Sequence, residues 1–403
     1  MPLKLDRKRV RAALLIAVTV SLLVGSLNYA GLLDRLEWIS YDQRMRYHSR
    51  DFQPHPDIAV VLIDEASLQA MNPLVGRWPW PRSIYADLLE FFAMGGARAV
   101  AFDILFPEQQ MESASGSALG EDDRRFITAT GEAGNAYHAM QLFKEHGEEG
   151  KQVNRPLPED FLNRHTTLQV NNLPEDGNNA FLLPIPGLYR EAQGVGIVEI
   201  SPDGDGVYRR VRPFSSYQGH SFPMLSIAPL LPLLGNEVHY TEQGVTIGEH
   251  HLPLDSEGYY AINMPSTFQP YSISGIFASI RHLRRGEVED MLVYPDEFED
   301  KIVFIGASAI GIQDIKATAL SSRMPGVYLH ASMASNILNN RMLQPLGDGW
   351  TMFFVALFAL LTAFTTLTFS QAHRQGDVHR PAPSAVLLPA AVDEGGEGGA
   401  LPD

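Results

Sequence analysis

Two stretches of the chain lack the polar interruptions found elsewhere. Ala12–Leu33 carries no charged side chain, and Trp350–Ser370 (WTMFFVALFALLTAFTTLTFS) repeats that pattern. Each has about the 20 residues with which a helix crosses a hydrocarbon core of about 30 Å. Between them the apolar positions come in short bursts. Asp57–Ile63 (DIAVVLI) and Ala97–Phe102 (ARAVAF) are near-continuous runs, the pattern of strands buried on both faces. They end on carboxylates, Asp64 and Asp103. Ser83–Gly95 between them has helical spacing, with Ser83 placed as N-cap and Gly95-Gly96 as the stop. Strand, helix, strand with short joints predicts a βαβ unit: two adjacent parallel strands with a right-handed crossover.

Further along, Met111–Gly120 reads as a loop, Glu121–Ala133 as a helix and Asn135–Leu142 as a strand. His146–Gly177 is polar and proline-bearing, an irregular excursion. Gly194–Ile200 and Val207–Phe214 flank the turn-rich Ser201–Gly206 and predict a hairpin. Phe222–Leu234 reads as a helix interrupted at Pro229 and Pro232, and Glu237–Tyr240 with Gly244–Ile247 as a second hairpin. Tyr259–Met264 is a strand and Ile276–Arg284 a helix. The most organised stretch is Lys301–Asn340. A buried strand, Lys301–Ile305, runs into a Gly306–Ser308 turn that would present bare backbone N–H groups at a strand end. A helix then starts at Gly326 with His330 one turn in. The fold class that follows is α/β: a mostly parallel sheet flanked by helices, with β-hairpin additions.

Charge sets the orientation. Lys4, Arg7, Lys8, Arg9 and Arg11 against Asp6 precede the first apolar stretch, which places the N-terminus in the cytoplasm. A cleaved signal peptide is the alternative, but Ser26-Leu27-Asn28 is a poor cleavage site. The expected organisation is a basic N-terminus (1–11), a span (12–33), an extracytoplasmic domain (34–349), a second span (350–370) and a disordered cytoplasmic tail (371–403). The net charge of -16 argues against a nucleic-acid surface, and the absence of cysteine removes disulfides and thiolate metal sites.

Several side chains carry candidate chemistry. Asp64 and Asp103, at the ends of neighbouring strands, would form a paired-carboxylate site for a polar ligand or a divalent cation. Alternatively each caps a turn or pairs with an arginine such as Arg82 or Arg98. No resident cofactor is otherwise expected. Metal-dependent hydrolysis needs further ligands and a nucleophile that the chain does not offer, so no enzyme activity is expected. The Arg77-Trp78-Pro79-Trp80-Pro81-Arg82 loop either clamps an anion between guanidinium groups or packs its indoles on the sheet edge and braces the Asp64 loop. Gly306 and Ser308 are candidates for anion contact through backbone N–H groups, or simply allow close helix packing. His330 reads as a core histidine; as a sensing group it would titrate near pH 6–7. Asp203 and Asp205 fit turn chemistry better than a calcium loop.

At this point several ordered blocks resemble a known family. They are Tyr41–Arg46 (YDQRMR), Ile63–Leu68 (IDEASL), Arg77–Arg82 (RWPWPR), Ala101–Phe106 (AFDILF), Asp205–Arg210 (DGVYRR), and Lys301–Ala309 with Asp314 and Pro325–Ala331 (PGVYLHA). Together they resemble the type-2 CHASE domain, the cyclase- and histidine-kinase-associated extracellular sensory module, over roughly residues 34–345. The resemblance implies a periplasmic sensor of a small ligand, anchored in the inner membrane and joined to a cytoplasmic cyclase, phosphodiesterase or kinase output. It also implies a homodimer or a signalling partner. Family members commonly carry three spans after the sensor, whereas here one is followed by a low-complexity tail. The expectation is a sensor without its output, truncated, frame-shifted near Ser370 or stand-alone. The rival readings are a periplasmic phosphoesterase-like enzyme using Asp64 and Asp103 with a metal, and a membrane-anchored protein-interaction module.

Overall fold

The computed structural model describes residues 7–378, apart from 111–118, 146–154 and single positions 167, 174, 242, 310, 313 and 345. The chain divides into two compact units, residues 35–345 and the terminal segments 1–34 with 346–403. The first apolar stretch is helix α1 (Arg7–Tyr29). Helix α2 (Asp34–His48) follows directly, and Met45 is its buried residue.

Strand β1 (Ile58–Ile63) is buried along its whole length, as its apolar run predicts. A helix the sequence reading missed, α3 (Glu65–Val75), begins at once because Asp64 caps it. Then come α4 (Ser83–Met94) and β2 (Ala99–Phe102). Ser83 is the first helical residue of α4 rather than its cap. Helix α5 (Glu121–Ala133) gathers Glu121, Asp122 and Asp123 at its N-terminus, where acids complement the dipole, and ends at left-handed Gly134. Strand β3 (Ala136–Phe143) follows, and then α6 (Glu159–His165), β4 (Gln169–Asn171), β5 (Ala180–Leu182), α7 (Pro186–Glu191) and β6 (Gly194–Ile197).

The middle of the chain is built from short strands. These are β7 (Arg210–Val211), β8 (Phe214–Tyr217) and β9 (His220–Pro223), the short helix α8 (Leu231–Leu234), then β10 (Glu237–Thr241), β11 (Gly244–Ile247), β12 (His250–Pro253) and β13 (Tyr260–Ala261). The chain returns to the main sheet with β14 (Tyr271–Ser272), α9 (Ile273–Arg285) and β15 (Ile302–Ala307). A small ladder, β16 (Ile315–Lys316) with β17 (Met324–Pro325), leads into α10 (Val327–Leu338). Last is α11 (Asp348–Val378), which runs past the expected end at Ser370. Residues 379–403 of the expected tail lie outside the described residues, as do parts of the 111–120 loop and the 146–177 excursion.

The main sheet has the order β14-β1-β15-β2-β3-β6, with all these pairings parallel, and β5 runs antiparallel along the end of β3. The mixed α/β class with a mostly parallel sheet is therefore as expected. One pairing is not. β1 and β2 are parallel but not adjacent, because β15 lies between them and pairs with both. Alternation along the strands separates two cores. Val61, Ile63, Val100, Phe102, Val303 and Ile305 face α4, α5 and α9. Ile58, Val60, Leu62, Ala99, Ala101 and Phe304 face α10 and the lobe of short strands.

Two further expectations fail for physical reasons. Gly194–Ile200 and Val207–Phe214 do not form a hairpin. β6 is a buried apolar strand that joins β3, where it hides on both faces, and β7 pairs instead with β13, all that remains of the expected Tyr259–Met264 strand. Gly196 allows this, since a Cβ there would lie 2.4 Å from the Leu225 Cα. Phe222–Leu234 is not one helix, because Pro223, Pro229 and Pro232 cannot donate helical hydrogen bonds; β9 and short helical turns take its place.

In the terminal unit α1 packs against α11. Val10–Tyr29 and Gly349–Thr366 are long and apolar enough to cross a membrane, and they leave residues such as Leu22 and Phe358 exposed.

Candidate functional site

The chain leaves β1 toward α3 and α4 on one face of the sheet, whereas it leaves β15 toward α10 on the other. Adjacent strands that diverge in this way open a crevice at their C-terminal ends. Asp103 stands in it. Its N–H donates to the Ile305 carbonyl (2.8 Å), and its parity with Ala99 and Ala101 turns the side chain toward α10. Two glycines bring the walls together. A Cβ on Gly306 would lie 2.5 Å from the Val327 Cβ, and one on Gly326 would lie 1.9 Å from Asp314 Oδ2. The Gly326 N–H meanwhile donates to the Asp314 carbonyl (2.7 Å). So β15, the 314–326 loop and α10 close around the end of β2.

The Asp103 side chain is 8% exposed and has no hydrogen-bond donor among the described residues; its nearest partner among them is His330 Nε2, 3.9 Å from Oδ1. Burial, with the charge of Asp314, pushes its pKa up to about 7 against the opposing pull of Lys316. Burial pushes His330 down to about 3, with Lys316 adding to the effect and the Val198 backbone opposing it. His330 Nδ1 is buried without a hydrogen-bond partner among the described residues. The group whose pKa is pushed toward neutrality is thus the acid, while His330, 2% exposed, sits in the core and well below the pH 6–7 of its alternative sensing reading. Lys316 binds Asp314 (2.7 Å) and lies 4.9 Å from the centre of the Tyr208 ring. The lysine was not singled out by the sequence reading, since nothing local marks a loop residue as facing a strand end. The resemblance block that contains Asp314 was the available signal.

The other sequence-predicted residues lie elsewhere. Asp64 accepts from the Ser67 N–H (2.7 Å) and from the Ser67 and Ser272 hydroxyls, a cap on α3. With β15 between their strands, and the registers Ile63↔Ala307 and Phe102↔Ile305 setting them two residues apart along the sheet, Asp64 and Asp103 are about 12 Å apart at Cα. Among the described residues, the cluster that brings three metal-ligating groups together is a different one, the surface-exposed His282, Glu287 and Asp290. The N–H groups expected to be bare at Gly306–Ser308 are paired instead. β15 continues to Ala307, and the Ser308 and Ala309 N–H groups donate to the Ile63 carbonyl (2.9 and 3.1 Å).

In the Arg77–Arg82 loop, Arg77 is exposed, Trp78 is half-buried and Trp80 is 1% exposed, stacked edge-on against Trp78. Arg82 pairs with buried Asp123 (2.9 Å) rather than with Asp64 or Asp103. Arg98 pairs with Asp300 and Asp57. The loop therefore braces the α4–α5 side of the sheet, away from Asp103.

A second charge cluster holds α2. Arg209, nearly buried, grips Asp42 of α2 with two bonds (2.7 and 3.0 Å) and also binds Asp203 and Asp205. Arg46 of α2 donates to the Ala319 carbonyl (2.7 Å). Tyr208, the neighbour of Arg209, donates its N–H to the Ala317 carbonyl (2.7 Å). The loop that carries Asp314 and Lys316 to Asp103 is thus bonded directly to α2.

A family profile, that of the CHASE2 domain, matches residues 13–365. No curated protein and no solved structure matches the chain.

Proposed function

The chain belongs to the CHASE2 domain family, whose domain is an extracellular, non-catalytic sensory module of signalling proteins, and on that premise we propose that it is a membrane-anchored extracytoplasmic sensor whose stimulus acts through the charge of Asp103. The observation that carries this is a buried carboxyl with no donor among the described residues, facing a loop that is bonded to the helix following the first span. Ionised Asp103 repels Asp314 and attracts Lys316; protonated, it does neither. Lys316 therefore has two alternative partners, and moving between them shifts Ala317 and Ala319, to which Tyr208 and α2 are bonded. A proton, or a cationic group bound at Asp103, biases the two arrangements by its difference in affinity for them. The signal passes through α2 into the first span, in an inner-membrane protein with two spans and a periplasmic sensor, acting as a homodimer or on a signalling partner.

The test is crosslinking of single cysteines placed on α2, in a chain with no native cysteine, at pH 6 and pH 8. The reading expects a pH-dependent crosslinking pattern that Asp103→Asn abolishes. A pattern that does not change with pH, or that changes equally in the variant, refutes it.

A further inference from the structure

Farther out along the same edge of the sheet, β3 and β6 end over a cavity of about 330 Å³. Its floor is apolar, formed by Leu142, Ile197 and Met224, and its walls include Lys144, Glu199, Arg212 and Tyr259. The register Met140↔Ile197 places Glu199 and Lys144 on adjacent chains, offset by about two residues and one strand spacing, so about 8 Å apart at Cα. The two charges do not satisfy each other. Glu199 accepts from the Gln141 amide, and Lys144 has neither an ion pair nor a hydrogen bond among the described residues. Arg212, by contrast, is held by Asp176 and lies 4.7 Å from the centre of the Tyr259 ring, so it forms fixed wall rather than free charge.

A pocket with a cation that has no partner among the described residues, and an anion on the adjacent chain, above an apolar floor, suits a ligand that carries both charges and an apolar branch. We propose that this cavity binds a small free α-amino acid with an apolar side chain. Its carboxylate meets Lys144, its ammonium meets Glu199, and its side chain covers Leu142 and Met224. The volume is at the small end for ligand sites and admits a molecule of this size. The charge of Glu199 also acts on Lys316 of the crevice. An ammonium at Glu199 would therefore weaken that attraction and free Lys316 toward Asp103. Only this link to signalling rests on the sensor reading; the binding stands on the pocket.

The experiment is calorimetric titration of the full chain in nanodiscs with three probes: L-leucine, isocaproate (which lacks the ammonium) and isoamylamine (which lacks the carboxylate). L-Leucine should bind, with each analogue about tenfold weaker or worse, the loss of one charge-assisted hydrogen bond. Lys144→Gln should erase the advantage of L-leucine over isoamylamine, and Glu199→Gln its advantage over isocaproate. Both side chains are exposed, so the variants should melt as the parent does without ligand. Asp103→Asn should still bind L-leucine even where it abolishes the pH response, which separates this proposal from the sensor reading. No heat from L-leucine, L-methionine or L-valine at millimolar concentration, or equal affinity for the two analogues and L-leucine, overturns it.

Discussion

Replacing Asp103 with asparagine keeps the shape of the side chain and removes its titration, so the consequence is calculable. In the unfolded chain the carboxyl has its ordinary pKa of 3.8; in the fold, burial and Asp314 raise it to about 7. Below about pH 4 the group is protonated in both states and contributes nothing. Between roughly pH 4 and 7 the unfolded chain releases its proton while the folded chain keeps it, so stability falls as pH rises, and the loss levels off above about 7. At 1.36 kcal/mol per unit the full loss is about 4 kcal/mol, of which about 3 falls between pH 5 and pH 8. With about 2.1 cal/mol/K of unfolding entropy per residue over residues 35–345, this is about 4–5 °C in Tm. The assay is tryptophan-fluorescence melting of wild type and Asp103→Asn at both pH values. The excess of the variant's Tm over the wild type's should grow by about 4–5 °C from pH 5 to pH 8. Parallel melting curves would refute the claim that the fold suppresses this ionisation.

Other expectations follow from the same contacts. His330 is held neutral, with its pKa down at about 3, so it contributes stability above about pH 6.5 that is lost as pH falls toward 3; His330→Gln should flatten the acid limb of the Tm profile, and an unchanged limb would contradict its burial. Arg209→Met strands Asp42 and Asp203 and should cost about 3–5 kcal/mol in denaturant titration; a loss under about 1 kcal/mol would show that the cluster is dispensable. Gly326→Ala forces a Cβ into the Asp314 carboxylate and should cost about 1–3 kcal/mol, with the 314–326 loop more open to protease. Asp64→Ala removes the α3 cap, so about 1–2 kcal/mol should be lost without any change in the pH dependence assigned to Asp103.

The elements visible in the sequence were those whose signal is local. β1 and β2 are apolar runs with polar ends, and α5 matches its expected limits because three acids start it and Gly134 stops it. What could not be read was pairing. Nothing in AVVLI or VFIG states that a strand some 240 positions later will separate β1 from β2; that order is fixed by which faces bury against α4 and α10. The role of Asp64 depended partly on a local partner, Ser67, and partly on Ser272 from the far end of the domain. Asp103 was visible as a strand-end carboxylate, but its isolation from donors, and the lysine that faces it, appear only once the 314–326 loop is closed by two glycines. Asp42 and Arg209 stood in separate resemblance blocks, and only the fold joins them.

The central claim is that the charge state of Asp103 is felt by α2. Amide hydrogen exchange of Asp34–His48, measured on the full chain in nanodiscs at pH 6 and pH 8 and corrected for intrinsic rates, tests it directly. The account predicts that α2 protection changes between the two pH values in the wild type and stays constant in Asp103→Asn. Equal behaviour of the two proteins, whether both change or neither does, would contradict it.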